Sequence, residues 1–155
     1  MKKILLFIAL SALLLNGCVY PEDVTVTIDA PSRVQVGETF DIVLKVTNES
    51  TESQTLTSID VGLDYLEGIL MEESVPAYVE SWEFDFFGFM SFDYKKNLPL
   101  GESLEISFLM DPITPGDYSG ALDVCVNTEM ACIYNTVRTV VEESELEEPE
   151  TEVTE

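Results

Sequence analysis

Alternation of apolar and polar residues with period two runs through most of the chain, and it restricts the fold more than any other feature. Val24, Val26 and Ile28 alternate with Thr25, Thr27 and Asp29, and Phe40, Ile42, Leu44 and Val46 form one side of a second segment. Ile59, Val61, Leu63 and Tyr65 stand against Asp60 and Asp64, and Leu104, Ile106, Phe108 and Met110 repeat the pattern. Tyr118, Gly120, Leu122, Val124 and Val126 follow, then Ile133, Val137 and Val141. Successive side chains of a strand point to opposite faces, so each run offers one apolar and one polar surface. Gly37-Glu38, the polar stretch 48–54, Pro99-Leu100-Gly101-Glu102 and Pro115-Gly116-Asp117 separate the runs as turns. No run carries a helical period. The pattern predicts an all-β fold, an antiparallel β-sandwich of about seven strands over residues 24–141, with one or two strands in the less regular stretch 68–96.

The N-terminal segment lies outside this pattern. Lys2 and Lys3 precede an apolar run at residues 4–15, far shorter than the roughly 20 residues that cross a bilayer as a helix. A basic start and a short apolar core read as a secretory signal over residues 1–17. Leu15-Asn16-Gly17-Cys18 resembles the lipobox of bacterial lipoproteins, with Leu15 and Gly17 fitting and Asn16 replacing the more usual small residue. The resemblance implies a diacylglyceryl thioether at Cys18, residues 18–23 as a lipidated tether, and attachment to the extracytoplasmic face of the cell membrane or outer membrane. One acyl chain holds a protein only marginally and two or three hold it stably, at about 0.8 kcal/mol per buried methylene. The alternative is an ordinary signal peptide with a cysteine near its cut.

At the other end, residues 142–155 carry eight glutamates, no basic residue, and Leu146 and Val153 as the aliphatic side chains. Such a stretch cannot bury enough apolar surface to offset its ordering entropy, and a disordered, solubilising acidic tail is expected. Without Lys2 and Lys3 the chain has five basic against thirty acidic residues, a net charge of −25. That balance repels phosphates and excludes nucleic acid as a partner. The chain has no histidine, which removes Ser-His-Asp and Cys-His catalysis and histidine-ligated zinc.

The segments Val36-Gly37-Glu38, Val46-Thr47-Asn48, Leu100-Gly101-Glu102-Ser103 and Pro115-Gly116-Asp117-Tyr118 resemble the turn motifs of CARDB-type immunoglobulin-like domains of bacterial surface proteins. The resemblance spans roughly residues 24–141 and implies an immunoglobulin-like sandwich. It implies little about function, because one sandwich hosts many roles. Tyr118, just after Pro115-Gly116, is expected to form a tyrosine corner, its hydroxyl tying back to nearby backbone. Asn48-Glu49-Ser50 matches a glycosylation sequon, a match expected to be incidental in the bacterial setting that the lipobox resemblance implies.

Beyond Cys18 the cysteines are Cys125 and Cys132. With Asn127-Thr128-Glu129-Met130 as a turn, Val126 faces Ala131 and Cys125 faces Cys132, close enough for a disulfide. Parity puts both cysteines on the outward side, opposite Val124, Val126 and Ile133. The surrounding acids would raise a thiol pKa, so the pair reads as a structural staple rather than a redox centre.

Two features suggest sites. Residues 82–94 hold seven aromatics: Trp82, Phe84, Phe86, Phe87, Phe89, Phe92 and Tyr94. Phe84 and Phe86 are expected in the core, with Gly88 permitting a bend. The surplus, Trp82, Phe87, Phe89 and Phe92, is the candidate partner surface, since aromatics supply contact area at low entropy cost. Asp60, Asp64, Glu67, Glu72 and Glu73 offer oxygen ligands of the kind calcium takes, but without ordered ligand spacing; solvated acids are the expectation, with no metal and no cofactor. The sum is a non-catalytic binding module of the cell envelope with a protein or glycan partner. The alternatives are an accessory subunit of an envelope complex and, more remotely, a carboxylate-based hydrolase.

Overall fold

The computed structural model describes residues 21 and 23–144. The segment 1–17, Cys18 and most of the acidic tail therefore lie outside the described residues.

The described residues form eleven strands and one helical turn in chain order: β1 (Val24–Asp29), β2 (Arg33–Gln35), β3 (Phe40–Asn48), β4 (Gln54–Gly62), α1 (Leu63–Leu66), β5 (Ile69–Val75), β6 (Glu80–Phe84), β7 (Phe89–Leu98), β8 (Ser103–Pro112), β9 (Gly116–Val126), β10 (Cys132–Ile133) and β11 (Thr136–Glu142). They form two sheets, one ordered β1-β3-β8-β5 and a larger one ordered β2-β11-β9-β4-β7-β6, with β10 paired to β9. The alternating runs of the sequence are strands here, and their apolar sides meet. Ile42, Leu44, Ile106 and Phe108 from the smaller sheet pack with Ile59, Phe92, Leu122 and Val124 from the larger, none more than 2% exposed.

The count exceeds the expected seven because several strands are short. β2 has three residues and β10 two, and Tyr134-Asn135 divides the last expected strand into β10 and β11. The sandwich is also not wholly antiparallel, because β2 runs parallel to β11.

One alternating run is misread by period alone. Leu63 and Tyr65 were expected to prolong the strand that holds Ile59 and Val61, but β4 stops at Gly62 and residues 63–66 make the α1 turn. That turn carries the chain from the larger sheet to β5 in the smaller. Tyr65 is still buried, and its Oη meets Thr139 Oγ1 at 2.9 Å. A Cβ at Gly120 would come within 2.9 Å of Tyr65 Cβ, so glycine is what lets the turn pack onto β9.

The corner at Tyr118 forms as expected, with Oη donating to Thr114 O at 3.1 Å. Asn48 is fully buried; its Nδ2 donates to Glu52 O and Leu98 O, and its Oδ1 accepts from the Ser50 amide and hydroxyl. All its polar atoms are engaged in closing the loop after β3, which leaves no free amide at the sequon.

Candidate binding basin on the outer face of the larger sheet

Opposed residues of an antiparallel pair share a face, so the register fixes which side chains meet on the outer surface. One row across β9, β4, β7 and β6 is Cys125, Ser58, Asp93, Glu80; the next is Asp123, Asp60, Ser91, Trp82. Phe89 and Phe84 oppose one another a row further on. The intervening residues Ile59, Phe92 and Val124 pair with each other and face the core.

These outward side chains enclose a basin of about 550 Å³, within the size range of small-ligand sites. Ser58, Asp60, Ser91 and Asp93 line its floor, the rings of Trp82, Phe84, Phe87 and Phe89 stand on one side, and Glu129 and Met130 of the β9–β10 turn stand on the other. Local structure holds each wall. Residues 85–88 form a tight turn with Phe87 N and Gly88 N both donating to Phe84 O at 2.9 Å, and Gly88 closes it at a φ of +73°. Gly88 O also accepts from Leu63 N at 2.9 Å, fastening the aromatic turn to the end of β4. On the other side Cys125 and Cys132 are joined by a disulfide in the expected register, with Val126 N donating to Ala131 O at 2.9 Å.

The disulfide lies on the outward side, as parity indicated, yet Cys125 and Cys132 are buried. Asp60 Oδ2 lies 3.5 Å from Cys125 Sγ; an oxidised sulfur has no proton to give, so this is a packing contact. Asp60 and the two sulfurs stand within 4.8 Å of one another, but sulfurs tied in a disulfide are not thiolate ligands, and one carboxylate alone makes no metal site.

The electrostatics of the floor are uneven. Ser91 Oγ donates to Asp60 Oδ1 at 2.5 Å. Burial nonetheless pushes the Asp60 carboxyl above its usual range; hydroxyls from Ser91 and Ser58 oppose the shift, and the negative charges of Asp123 and Asp93 add to it. Asp123 is raised too, again chiefly by burial, against a hydrogen bond from the Asn135 amide. At the far end, an irregularity in the β4–β7 register and a left-handed Lys95 (φ 50°) turn that lysine over the outer face. Its Nζ meets Glu80 Oε1 at 2.7 Å and Asp93 Oδ2 at 3.1 Å. The Lys95 ammonium holds Glu80 below the ordinary carboxylate range.

The structure sorts the sequence candidates. Trp82 and Phe87 are 56% and 69% exposed, and both line the basin with the half-buried Phe89. Phe92 does not belong with them. It is 2% exposed on the inward side of β7, with ring centroids 5.9 Å from Phe108 and 5.2 Å from Tyr78. The expectation that Phe84 and Phe86 enter the core fails in the opposite sense, since they are 41% and 93% exposed. Strand β6 lies at the sheet edge and Phe86 sits at the tip of its turn, so neither ring has a facing layer to enter.

Of the acidic candidates, Asp60 alone reaches the basin. Asp64, Glu67 and Glu72 rim a separate cleft of about 740 Å³ at the open edge of the sandwich, floored by Leu63, Ile69, Met90 and Phe92. Ser58, Ser91, Asp93 and Met130 were not singled out as site residues from the sequence, and Phe84 was assigned to the core. The available signal was Asp93 between Phe92 and Tyr94, a charged residue within an apolar strand.

No protein-family model matches this chain, and no curated protein matches it. Solved structures do resemble it. The cohesin module of a family 33 glycoside hydrolase from Clostridium perfringens superposes with a TM-score of 0.55 at 12% identity, over 78% of this chain and 98% of that module. AvmM, which catalyses macrocyclization in alchivemycin A biosynthesis, superposes with a TM-score of 0.54 at 11% identity, over 83% of this chain and 94% of its own. A CARDB domain from Pyrococcus furiosus aligns at a TM-score of 0.48 and 17% identity, over 83% of this chain and 97% of that domain. At these identities the likeness is one of fold, and the fold is an immunoglobulin-like β-sandwich.

Proposed function

We propose that this chain is a non-catalytic binding module, carried on the extracytoplasmic side of a membrane by a lipid on Cys18, and that it binds through the basin on its larger sheet. The observation that carries the reading is the position of Trp82, Phe84 and Phe87. Three large rings are held at 41–69% exposure by a sheet edge and a tight turn, around one concavity. Isolated exposed apolar residues are ordinary, whereas a cluster set around a walled depression with a few buried polar groups is the usual composition of a recognition site. The cohesin module among the structural neighbours supports a binding role by analogy of fold. The lipobox-like Leu15-Asn16-Gly17-Cys18 supports the anchor.

A second reading rests on Asp60. Its raised pKa beside Asp123 and Asp93 is also what a carboxylate acid catalyst needs, and AvmM is a neighbour of this fold with a catalytic role. The binding reading is preferred because the described residues place no nucleophile or second ionisable group against Asp60 within hydrogen-bond reach other than its serine hydroxyls.

Affinity capture from intact cells with the native protein tests the reading. A partner or glycan retained by wild type should be lost with Phe87→Ser and Phe89→Ser, and unchanged capture by both variants removes the basin from consideration. Mass spectrometry of the same material should show Cys18 as an acylated N-terminus; a free thiol there would remove the anchor and leave the basin standing.

A further inference from the structure

The basin offers a ligand rings and hydrogen-bond acceptors, and little positive charge. Four carboxylates line it, Asp60, Glu80, Asp93 and Glu129, against the one ammonium of Lys95. That ammonium is already divided between Glu80 and Asp93. Among the described residues no lysine or arginine comes within 4.0 Å of Asp60 or Glu129. The hydroxyl proton of Ser91 is given to Asp60. A half-buried carboxylate without a counter-charge is costly, and the cost is relieved by a cation brought in from outside. Beside it stand aromatic rings, whose negative faces attract a cation within about 6 Å of the ring centroid. Asp60, Ser91 and Trp82 occupy one cross-strand row, so at about 4.8 Å per strand the carboxylate and the indole are rooted about 10 Å apart. That gap takes one polyatomic head group between them. The strongly acidic chain would also steer cations toward this face.

We propose that the basin binds a small organic ammonium ion, its charged head lodged between the Asp60 carboxylate and the rings of Trp82 and Phe87. The proposal rests on the basin being the binding face and names the ligand chemistry of that same site. An anionic ligand meets four carboxylates, and a neutral one leaves Asp60 uncompensated.

Calorimetric titration of the full-length protein in a polyoxyethylene detergent tests it, with three probes: choline, its neutral isostere in which a tert-butyl group replaces the trimethylammonium, and methyl glucoside. Choline should bind about tenfold or more tightly than the isostere, and methyl glucoside more weakly than either. Asp60→Asn should weaken choline about tenfold and leave the isostere unchanged, and Trp82→Leu, at a 56% exposed position, should also weaken choline about tenfold. Choline affinity should fall as pH is lowered through the raised Asp60 value. Asp123 on β9, Asp93 and Lys95 on β7, Glu80 on β6 and Glu129 in the hairpin face the same site, and persistence of the pH effect in Asp60→Asn would remove Asp60 from the role. Equal binding of choline and isostere, or tighter binding of the glucoside, overturns the proposal. Absence of choline binding while Phe87→Ser still abolishes capture overturns the ammonium assignment and leaves the binding face intact. Choline binding that depends on Asp60 while capture is indifferent to Phe87 and Phe89 keeps the ammonium site and overturns the reading that the partner is captured through the aromatic wall.

Discussion

The two sheets share one core, but their outer faces differ. On the smaller sheet the outward residues Asp41, Lys45 and Glu105 are exposed between buried or half-buried neighbours, the ordinary arrangement of a sandwich. On the larger sheet the outward Ser58, Asp93 and Cys125 are 1%, 6% and 0% exposed. Both sheets have the same pleat and the same twofold alternation. The larger one is distinguished by what stands on it: the β6 edge with Trp82 and Phe84, the fastened turn at residues 85–88, and the disulfide-held hairpin. An outward polar residue normally reports only on solvent. Walled in, with its hydroxyl or carboxylate already partnered, it marks a surface shaped for something else.

The largest effects should come from the side the two sheets share. Phe92→Ala removes a ring packed against Phe108 and should cost about 3–5 kcal/mol in urea unfolding. Glu105→Ala on the bare outer face should change stability by no more than about 0.5 kcal/mol. A mild Phe92→Ala would mean that the aromatic segment is not part of the core.

Next in size is the hairpin wall. Replacing Cys125 and Cys132 together by serine opens a loop whose ends are separated by 7 positions, and should cost about 2.5 kcal/mol on chain-entropy grounds. The measurement is the unfolding midpoint of the double variant against reduced and oxidised wild type. Indifference to both would show that the wall stands without its staple.

A smaller effect, with a defined sign, belongs to Asp60 on the floor of the walled face. Burial holds folded Asp60 above its ordinary value of 3.8. Its contribution to stability is therefore fully present below that ordinary value and is lost as pH rises through the raised folded value. The stability of wild type relative to Asp60→Asn should fall over that interval. A difference for Asp60→Asn that is flat with pH would show its carboxylate to be fully solvated.

The inward half of this molecule was legible because it depends on local periodicity. Ile42, Leu44, Ile106, Phe108, Leu122 and Val124 are buried where alternation puts them, and turn chemistry located the Cys125–Cys132 pairing. Alternation failed at Leu63–Leu66, since four residues are too few to distinguish a strand end from a helical turn. Phe92 was grouped with its aromatic neighbours although Phe92 and Tyr94 flank Asp93 at period two, which assigns both rings to the side away from Asp93. The basin was mostly illegible for a different reason. Asp60, Ser91, Asp123 and Trp82 become neighbours only through the pairing of β4 with β7 and β9 and of β7 with β6. No local pattern encodes that non-local register, and Trp82 and Phe87 were found from composition alone.

The smallest structural effect belongs to the position with the largest functional one. Phe87→Ser, at a 69% exposed turn residue, should leave stability within about 0.5 kcal/mol. The direct measurement is photo-crosslinking on intact cells from a reactive side chain placed at position 87, on the walled face, and separately at position 45, on the bare one. The account predicts a discrete adduct from position 87 and none from position 45. Adducts of equal yield from both positions, or from position 45 alone, would contradict the claim that the basin is where this chain meets its ligand.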